Sequence, residues 1–422
     1  APAAGAAVTL EYWLWDSLQL PPYQKCADNF TAKNPNIKIN ITQKGWDDYW
    51  SGIQNGMIAG NAPDVFTDHL AKYPEFAAKN QLVDIQTYID RDKVDMSAYL
   101  SGLADLWARD GKRFGLPKDW DTVAVVYNKD MLDKAGVTVE ELNNTTWNPD
   151  DGGTWAQIVA KLTLDENGKN ALDPAFDKTK IAQYGFIPDG PADTYGQTGW
   201  SWLADTTGWR HIDNLYATKY NYDDPRLIKT IQWIADMMQK GQYMALELVN
   251  SLGSSSAFNA GKGAMTANGS WMISAFAKDA TFPVGFARLP QGPEGRKSMF
   301  NGLADSIWIG AKHPEEAWQW VKYLASAECA NTVGDAGVVF PAQQSGVDKA
   351  IAAYKTAKNL DVSAFTAQAT EKDGTFLFPV TDHASEITAI MGPVMQSIML
   401  GQAKAADVIP AAAAEVNALF NK

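Results

Sequence analysis

Acidic side chains flank several strand-like runs of this chain, and they are the residues best placed to do chemistry. These carboxylates are Asp16, Asp68, Asp119 and Asp121. An ionised carboxylate accepts charge-assisted hydrogen bonds from hydroxyl groups. Taken one at a time, a helix cap or a solvated turn is the simpler interpretation. Taken together they predict one polar crevice, because strand ends of an open α/β sheet meet at a common edge.

A tryptophan at a predicted strand-to-helix turn supplies the complementary apolar chemistry. The segment GAMTANGSWMISAF predicts a short strand, then Asn268 and Gly269, then Trp271 at the start of a helix. Gly269 is expected to permit a tight turn and Ser270 to cap the helix. An indole face can stack on the C–H face of a sugar ring or on another flat apolar ligand. The alternative is a core tryptophan on an amphipathic helix.

Further aromatic and polar residues lie where loops meet predicted elements. Trp46 opens a helix after a polar loop, and core and ligand-facing positions fit it equally well. The segment 184–210 is rich in Gly, Pro and Asp, so its aromatic residues are candidates for ligand contact. Asn301 and Gly302 either expose backbone to a ligand or form only a turn. The other candidate ligand-binding residues are Trp15, Ser17, His69, Trp120, Tyr195, Trp200, Asp382 and His383.

Composition narrows the function classes. The chain has 422 residues, 46% of them hydrophobic, which favours two domains with separate cores. The net charge of −13 and the absence of a basic run argue against nucleic acid as a partner. The 16 tryptophans are unusually many, and some are expected to serve a surface. No apolar run reaches the length of a membrane span.

Known cofactor and metal motifs do not fit the sequence. The 4 histidines are scattered and form no HExxH pair, and no serine or threonine follows Lys262 in its glycine-rich turn. No CxxC pair is present, so a zinc site is not expected. We predict neither a metal nor another cofactor. Cys26 and Cys329 are either joined by a disulfide or buried as free thiols, and the sequence leaves both open.

The order of elements predicts the fold class. Apolar strands at 8–15, 37–41 and 65–68 alternate with amphipathic helices at about 22–33 and 46–59. This β-α-β-α-β pattern is typical of an open, doubly wound, parallel sheet. No repeat or low-complexity linker divides the chain, so two interleaved domains are expected. The opening APAAGAA has the composition of a processed, exported N-terminus or of a disordered one.

Several segments of the chain resemble the extracellular solute-binding proteins of bacterial ABC sugar importers, the family that includes maltose-binding protein. The segments that carry the resemblance are VTLEYWLWDS, GNAPDVFTDH, GLPKDWDTVAVVYNKDML, GKGAMTANGSWMISAF and FNGLADSIWIGAKHPEEAWQWVKYL. They span nearly the whole chain in the family's order.

The resemblance implies two interleaved α/β lobes joined by hinge strands, with an oligosaccharide bound in the cleft between them. Lobe one would comprise 1–120 and 280–312, and lobe two 121–279 and 313–422. The partner would be the permease of the importer, and the protein would be a monomer. It would work outside the cell or in the periplasm, lipid-anchored through its processed N-terminus.

The resemblance also implies roles for residues. Asp16 and Ser17 match polar sugar contacts, and Asp68 with His69 match a cleft position. Asp121 matches a hydroxyl-binding carboxylate, Trp271 a stacking aromatic and Trp200 another at a looser match. Asp382 and His383 lie near the family's last cleft contact, where its usual aromatic residue is missing.

Two other functions fit some of the same residues. Asp119 and Asp121 are separated by one residue on a predicted strand, so their side chains share a face and could act as the acid and base of a glycoside hydrolase. The same fold could also bind a peptide or another solute. Among sugars, α-gluco-oligosaccharides are our expectation by analogy.

Overall fold

The computed structural model describes residues 7–100 and 102–421. The expected exported N-terminus falls on residues 1–7 and, apart from Ala7, lies outside the described residues. The strands are β1 (Val8–Leu14), β2 (Ile37–Gln43), β3 (Val65–Asp68), β4 (Ala108–Arg109), β5 (Lys112–Arg113), β6 (Leu116–Pro117), β7 (Asp119–Trp120), β8 (Val123–Asn128), β9 (Leu164–Asp165), β10 (Ile181–Ile187), β11 (Gly263–Gly269), β12 (Val284–Ala287), β13 (Ser298–Phe300), β14 (Ala304–Ile307), β15 (Phe340–Pro341) and β16 (Thr375–Leu377).

The α-helices alternate with these strands over most of the chain. They are α1 (Leu20–Lys33), α2 (Trp46–Ala59), α3 (Tyr73–Ala78), α4 (Gln86–Asp92), α5 (Lys129–Ala135), α6 (Val139–Asn143), α7 (Gly153–Leu162), α8 (Ser201–Ala204), α9 (Pro225–Gln239), α10 (Leu246–Leu252), α11 (Ser254–Asn259), α12 (Ile273–Asp279), α13 (Pro314–Leu324), α14 (Ala327–Ala336), α15 (Gln344–Lys358), α16 (Ser363–Thr370), α17 (Ala384–Met399) and α18 (Ala405–Ala418). None of the described helices is both long enough and apolar enough to cross a bilayer.

The chain forms two compact units, and each contains separate segments of the sequence. The first unit comprises the described residues up to Asp121 and Asn301–Asn359. Its sheet has the order β2-β1-β3-β14-β6, with β1 parallel to β2 and β3, and β14 antiparallel to β3 and β6. The predicted β-α-β-α-β start is confirmed, and the antiparallel strands make the sheet mixed rather than purely parallel.

The second unit comprises Thr122–Phe300 and the described residues from Leu360 onward. Its sheet has the order β12-β8-β11-β10-β9, with β10 parallel to β11 and β8 antiparallel to both β11 and β12. The core of this unit is rich in aromatic residues from β10, α8 and α9. Helix α9 begins with Pro225, and the Asp224 side chain caps it by accepting from the Arg226 N–H.

The interleaving of two α/β units is confirmed, but the segment boundaries differ from those predicted from the resemblance. Residues 280–300 belong to the second unit, because β12 pairs with β8 and β13 pairs with β16. Residues 313–359 belong to the first unit, because β15 pairs with β7 and α14 lies beside α1. Of the predicted crossings, only the one near Asp121 agrees with the structure.

The two cysteines form a disulfide within the first unit. Cys26 of α1 and Cys329 of α14 have Cα atoms 5.4 Å apart, and both side chains are fully buried. This answers the question that the sequence left open. The disulfide joins the first helix to a segment that returns to the unit 303 positions later in the chain.

Candidate functional site

The first unit collects most of the predicted site residues at one edge of its sheet. β1 and β3 end there, and β14 begins there because it runs antiparallel to β3. The residues that follow β1 are Trp15, Asp16 and Ser17, and the residues that precede β14 are Asn301 and Gly302. The carboxyl ends of β1 and β3 and the start of β14 therefore meet at one edge of this sheet.

Tryptophan, tyrosine and histidine rings form a continuous cluster at this edge. The Trp15 ring centroid lies 5.1 Å from that of Trp46, 5.6 Å from that of Trp50 and 5.2 Å from that of Tyr49. The Trp46 ring also lies 5.7 Å from the ring of His69. Trp46 remains 45% exposed, although its neighbours Tyr49 and Trp50 are buried. The cluster thus holds one indole at the surface on a support of other rings.

Trp46 occupies this position because of how α2 begins. Gly45 is the N-cap of α2 in an extended conformation, which places Trp46 in the first helical turn. Tyr49 and Trp50, one turn later, turn inward, and the Tyr49 hydroxyl donates to the Thr67 carbonyl at 2.6 Å. The sequence left core and ligand-facing positions equally open for Trp46, and the structure exposes it.

Two of the acidic candidates, Asp16 and Asp68, accept hydrogen bonds from backbone N–H groups close to them in the chain. Asp16 accepts hydrogen bonds from the Leu18 N–H at 2.8 Å and from Gln19 Nε2 at 3.0 Å, which shapes the turn after β1. Asp68 is buried at the end of β3 and accepts from the His69 N–H at 2.8 Å. Burial raises the pKa of Asp68 to about 8, so this carboxyl carries a proton at neutral pH.

His69 connects the end of β3 to the segment before β14. Its Nδ1 accepts from the Ala71 N–H at 3.0 Å, and its Nε2 lies 3.3 Å from Asn301 Nδ2. Burial lowers the pKa of His69 to about 3, so the ring is neutral. The contacts on both nitrogens fix the orientation of this neutral imidazole at the end of β3.

Asp119 and Asp121 lie on the segment that leaves the first unit. Asp119 is buried and its Oδ1 accepts from the Leu303 N–H at 2.9 Å, while its Oδ2 has no hydrogen-bond partner among the described residues. Burial raises the pKa of Asp119 to about 6, against the lowering effect of the neighbouring Lys118 ammonium. Asp121 pairs through its backbone with Asn301, with N···O distances of 2.8 and 3.2 Å.

Two tryptophans that the sequence offered as ligand contacts lie in the interior instead. The Trp120 ring is stacked on Phe340 with centroids 4.8 Å apart and is 2% exposed. Trp200 is fully buried in the core of the second unit, where its Nε1 donates to the Asp193 carbonyl at 2.7 Å. Trp202 and Trp209 of the same segment also belong to the core of the second unit, so its three tryptophans do not form a ligand surface.

Trp271 of the second unit follows β11, as the sequence predicted. β11 ends at Gly269, a 3₁₀ turn covers Ser270–Met272, and α12 begins at Ile273. Asn268 is buried, and its Oδ1 accepts from the Gly269 N–H at 2.8 Å. The half-buried Trp271 ring therefore lies at the carboxyl end of a parallel strand.

The roles expected for Gly269 and Ser270 need correction. Gly269 has φ −80° and ψ 161°, an ordinary extended conformation, so no strained turn requires a glycine. A Cβ at this position would lie 1.8 Å from the Trp271 ring, so the glycine makes room for the indole. Ser270 is buried at the start of the 3₁₀ turn, and the N-cap position of α12 is Met272.

The other candidates of the second unit are spread over two regions. Tyr195 is 8% exposed and packs against Phe378 with ring centroids 5.2 Å apart. Asp382 and His383 precede α17, and His383 has the left-handed φ of 62° and contacts the Phe420 ring at 5.4 Å. Tyr195 lies in the segment after β10, and Trp271 follows the adjacent parallel strand β11.

Sequence reasoning missed a buried polar network beneath the first unit's edge. Tyr12, Thr67, Lys118 and Asp305 hydrogen-bond to one another there. Thr67, Lys118 and Asp305 lie 55, 106 and 293 positions after Tyr12 in the chain, so no local pattern could have linked them. The local signal was limited to a lysine between Pro117 and Asp119, shortly before a strongly apolar strand.

Comparison with solved structures shows which fold the chain adopts. The structure of an ABC substrate-binding protein of Listeria monocytogenes in complex with cycloalternan matches with a TM-score of 0.81 and 19% identity, covering 98% of this chain and 99% of that one. The fold is therefore that of the two-lobed α/β binding proteins.

Sequence comparison gives the family. The sequence profile of the bacterial extracellular solute-binding proteins matches residues 16–330, so the chain belongs to this family and works outside the cytoplasm. A putative binding protein of Brucella abortus is 25% identical over 413 residues, covering 95% of this chain and 90% of that protein. A maltotriose-binding protein of Pyrococcus abyssi is 24% identical over 321 residues, covering 74% of this chain and 62% of that protein.

Proposed function

We propose that this protein binds an oligosaccharide and delivers it to the permease of an ABC importer. The observation that carries the proposal is the exposed Trp46 ring, held in a ring cluster beside the polar residues Asp16, His69 and Asn301. Carbohydrate recognition requires both parts: an aromatic face for C–H patches and fixed polar groups for hydroxyls. A purely hydrophobic ligand would not require the second part.

Each unit is proposed to contribute ligand contacts. Trp271 gives the second unit an aromatic group at the carboxyl end of β11, as Trp46 does beside β1 and β3 in the first. Among the predicted contacts we retain Trp15, Asp16, Ser17, Trp46, Asp68, His69, Asp119, Asp121, Tyr195, Asn268, Trp271, Asn301, Gly302, Asp382 and His383. We set aside Trp120 and Trp200, whose rings are buried.

An α-gluco-oligosaccharide is the ligand that we propose to test first. Support comes from the maltotriose-binding relative of Pyrococcus abyssi and from the cycloalternan complex of Listeria monocytogenes. Isothermal titration calorimetry with maltotriose, cycloalternan, mannotriose, lactose and a tripeptide tests the proposal. We expect heat of binding with a glucan, and heat only with the tripeptide would contradict it.

We further propose that binding occurs without turnover. Asp119 has a raised pKa that would suit a general acid, but its carboxyl is buried and already bonded to the Leu303 backbone. The test is prolonged incubation with the bound oligosaccharide followed by chromatography of the products. Hydrolysis that is lost in Asp119→Asn would establish the glycoside hydrolase alternative instead.

Lipid anchoring through a processed N-terminus and a monomeric state complete the proposal. Detergent phase partition of the protein from its producing cells tests the anchor, because an acylated chain enters the detergent phase. Sedimentation equilibrium tests the monomer.

A further inference from the structure

The Lys118 ammonium lies in the interior of the first unit, surrounded by polar partners. Its side chain is 1% exposed, and Nζ lies 2.9 Å from the Tyr12 hydroxyl, 3.0 Å from Thr67 Oγ1 and 3.4 Å from Asp305 Oδ1. The Tyr23 ring centroid lies 4.0 Å from Nζ on a further side. A buried ammonium is stable only with such partners, because desolvation otherwise opposes the charge.

The partners of Lys118 also bond to one another. The Tyr12 hydroxyl donates to Asp305 Oδ1 at 2.8 Å, and Thr67 Oγ1 donates to the same oxygen at 3.1 Å. The Tyr12 hydroxyl and Thr67 Oγ1 are themselves 2.9 Å apart. The Asp305 side chain is 2% exposed, so the pair is a desolvated ion pair whose bonds all converge on Asp305 Oδ1, while Asp305 Oδ2 has no hydrogen-bond partner among the described residues.

Each member of this network comes from a different chain segment, and each segment leads directly to proposed ligand-contacting residues. Tyr12 lies in β1 just before Trp15 and Asp16, and Thr67 lies in β3 just before Asp68. Lys118 precedes Asp119. Asp305 lies in β14, after Asn301 and Gly302. The backbone reinforces this connection, because the Lys118 N–H donates to the Leu303 carbonyl at 2.9 Å and the Leu303 N–H donates to Asp119.

We infer that Lys118 is a positioning residue for ligand binding: its ammonium fixes the relative placement of four strand ends whose next residues contact the ligand. This inference rests on the proposed function. Lys118 touches no ligand itself, since it is enclosed. An apolar side chain of similar volume could fill the space, but it would offer no N–H donor to the Tyr12 hydroxyl, Thr67 Oγ1 and Asp305 Oδ1, so it would not hold these three groups at one point.

The test compares a single and a paired substitution. Lys118→Met leaves Asp305 buried without its cation, so it is expected to destabilise the unit. Lys118→Met with Asp305→Leu removes both charges, so folding is expected to recover while the network stays absent. Val333→Ala in α14 is the control, because Val333 is a buried apolar residue outside the network.

Two measurements are made on the intact chain. Hydrogen–deuterium exchange is measured in the peptides that contain His69 and Leu303, whose backbone amides donate to Asp68 and Asp119. Calorimetry measures the affinity for maltotriose. We expect both network variants to exchange at least tenfold faster in these peptides and to bind at least tenfold more weakly, and Val333→Ala to do neither. A paired variant with wild-type exchange and affinity would overturn the inference. If the wild type binds no maltotriose, the proposed function is challenged separately, and exchange alone decides the role of Lys118.

Discussion

Trp46 is the residue whose removal tests the proposed stacking surface most directly. Trp46→Ala removes the exposed ring but leaves Trp15, Tyr49 and Trp50 packed beneath it. We expect oligosaccharide affinity to fall at least tenfold, about 1.4 kcal/mol, with little change in stability. Calorimetry and thermal unfolding measure both quantities. Ile58→Ala on the same helix is the control, since Ile58 is 86% exposed and distant in sequence from the cluster. Equal affinities for the two variants would exclude Trp46 as a contact.

Asp119 is expected to make stability depend on pH. Its folded pKa of about 6 lies above the ordinary value near 3.8, because burial disfavours the charged form. The folded state thus binds the proton more tightly. The contribution of Asp119 to stability is fully present below about pH 4 and is lost as the pH rises through 6.

Urea unfolding of the wild type and Asp119→Asn at pH 4 and pH 7 measures this dependence. Relative to the variant, the free energy of unfolding of the wild type is expected to fall by about 2 kcal/mol across this interval. Parallel pH profiles of the two proteins would show that the carboxyl is not perturbed. His69 is expected to lower the stability of both proteins as the pH falls below about 6.5, because the unfolded imidazole takes up a proton there while the folded one, with a pKa of about 3, does not. This contribution is common to the wild type and the variant, so it cancels in the comparison.

At the scale of elements, the junction of β11 and α12 depends on a glycine for steric reasons. In Gly269→Ala the new methyl group would occupy the place of the Trp271 ring, while the backbone φ of −80° suits any residue. We therefore expect the indole to be displaced and ligand affinity to fall severalfold, with the secondary structure unchanged. Tryptophan fluorescence and calorimetry report the two effects.

A second glycine provides the matched control for that substitution. Gly392 lies within α17, and a methyl group added there would meet no described atom within 4 Å outside the helix's own backbone, so alanine fits. Gly392→Ala is expected to stabilise the protein by about 0.5–1 kcal/mol without changing affinity. If both alanine variants bound equally well, the Trp271 ring would not be a ligand contact.

The disulfide between α1 and α14 joins elements that the chain brings together only after passing through the second unit. Cys26→Ala with Cys329→Ala is expected to lower the free energy of unfolding by about 2–5 kcal/mol, because the cross-link restricts the unfolded chain. Chemical unfolding with and without reductant provides the measurement. Reductant should destabilise the wild type and leave the double variant unchanged, and an unaffected wild type would contradict the expectation.

At the scale of the whole molecule, a ligand contacted by both units should stabilise both. Binding to the folded state adds about 2.7 kcal/mol at a ligand concentration of about 100 times Kd. We expect saturating oligosaccharide to slow hydrogen exchange in peptides around Trp46 and in peptides around Trp271, at a stoichiometry of one. Protection confined to one unit would restrict the site to that unit.

The sequence by itself determined the alternation of strands and helices. Apolar runs gave β1 and β2, the amphipathic patterns between the strands gave α1 and α2, and the segment GAMTANGSWMISAF placed Trp271 after β11. These features depend on neighbours along the chain, so local patterns contain them. The ordered motifs also gave the family correctly.

Only the tertiary structure decided which aromatic residues are core and which are surface. Trp46 and Trp200 both lie beside polar loops in the sequence, yet one is 45% exposed and the other is fully buried. The unit boundaries, the Cys26–Cys329 bond and the Lys118 network were decided in the same way. Each depends on segments tens to hundreds of residues apart, and their contacts exist only once the sheets have formed, because burial and ion pairing are properties of packing and not of local sequence.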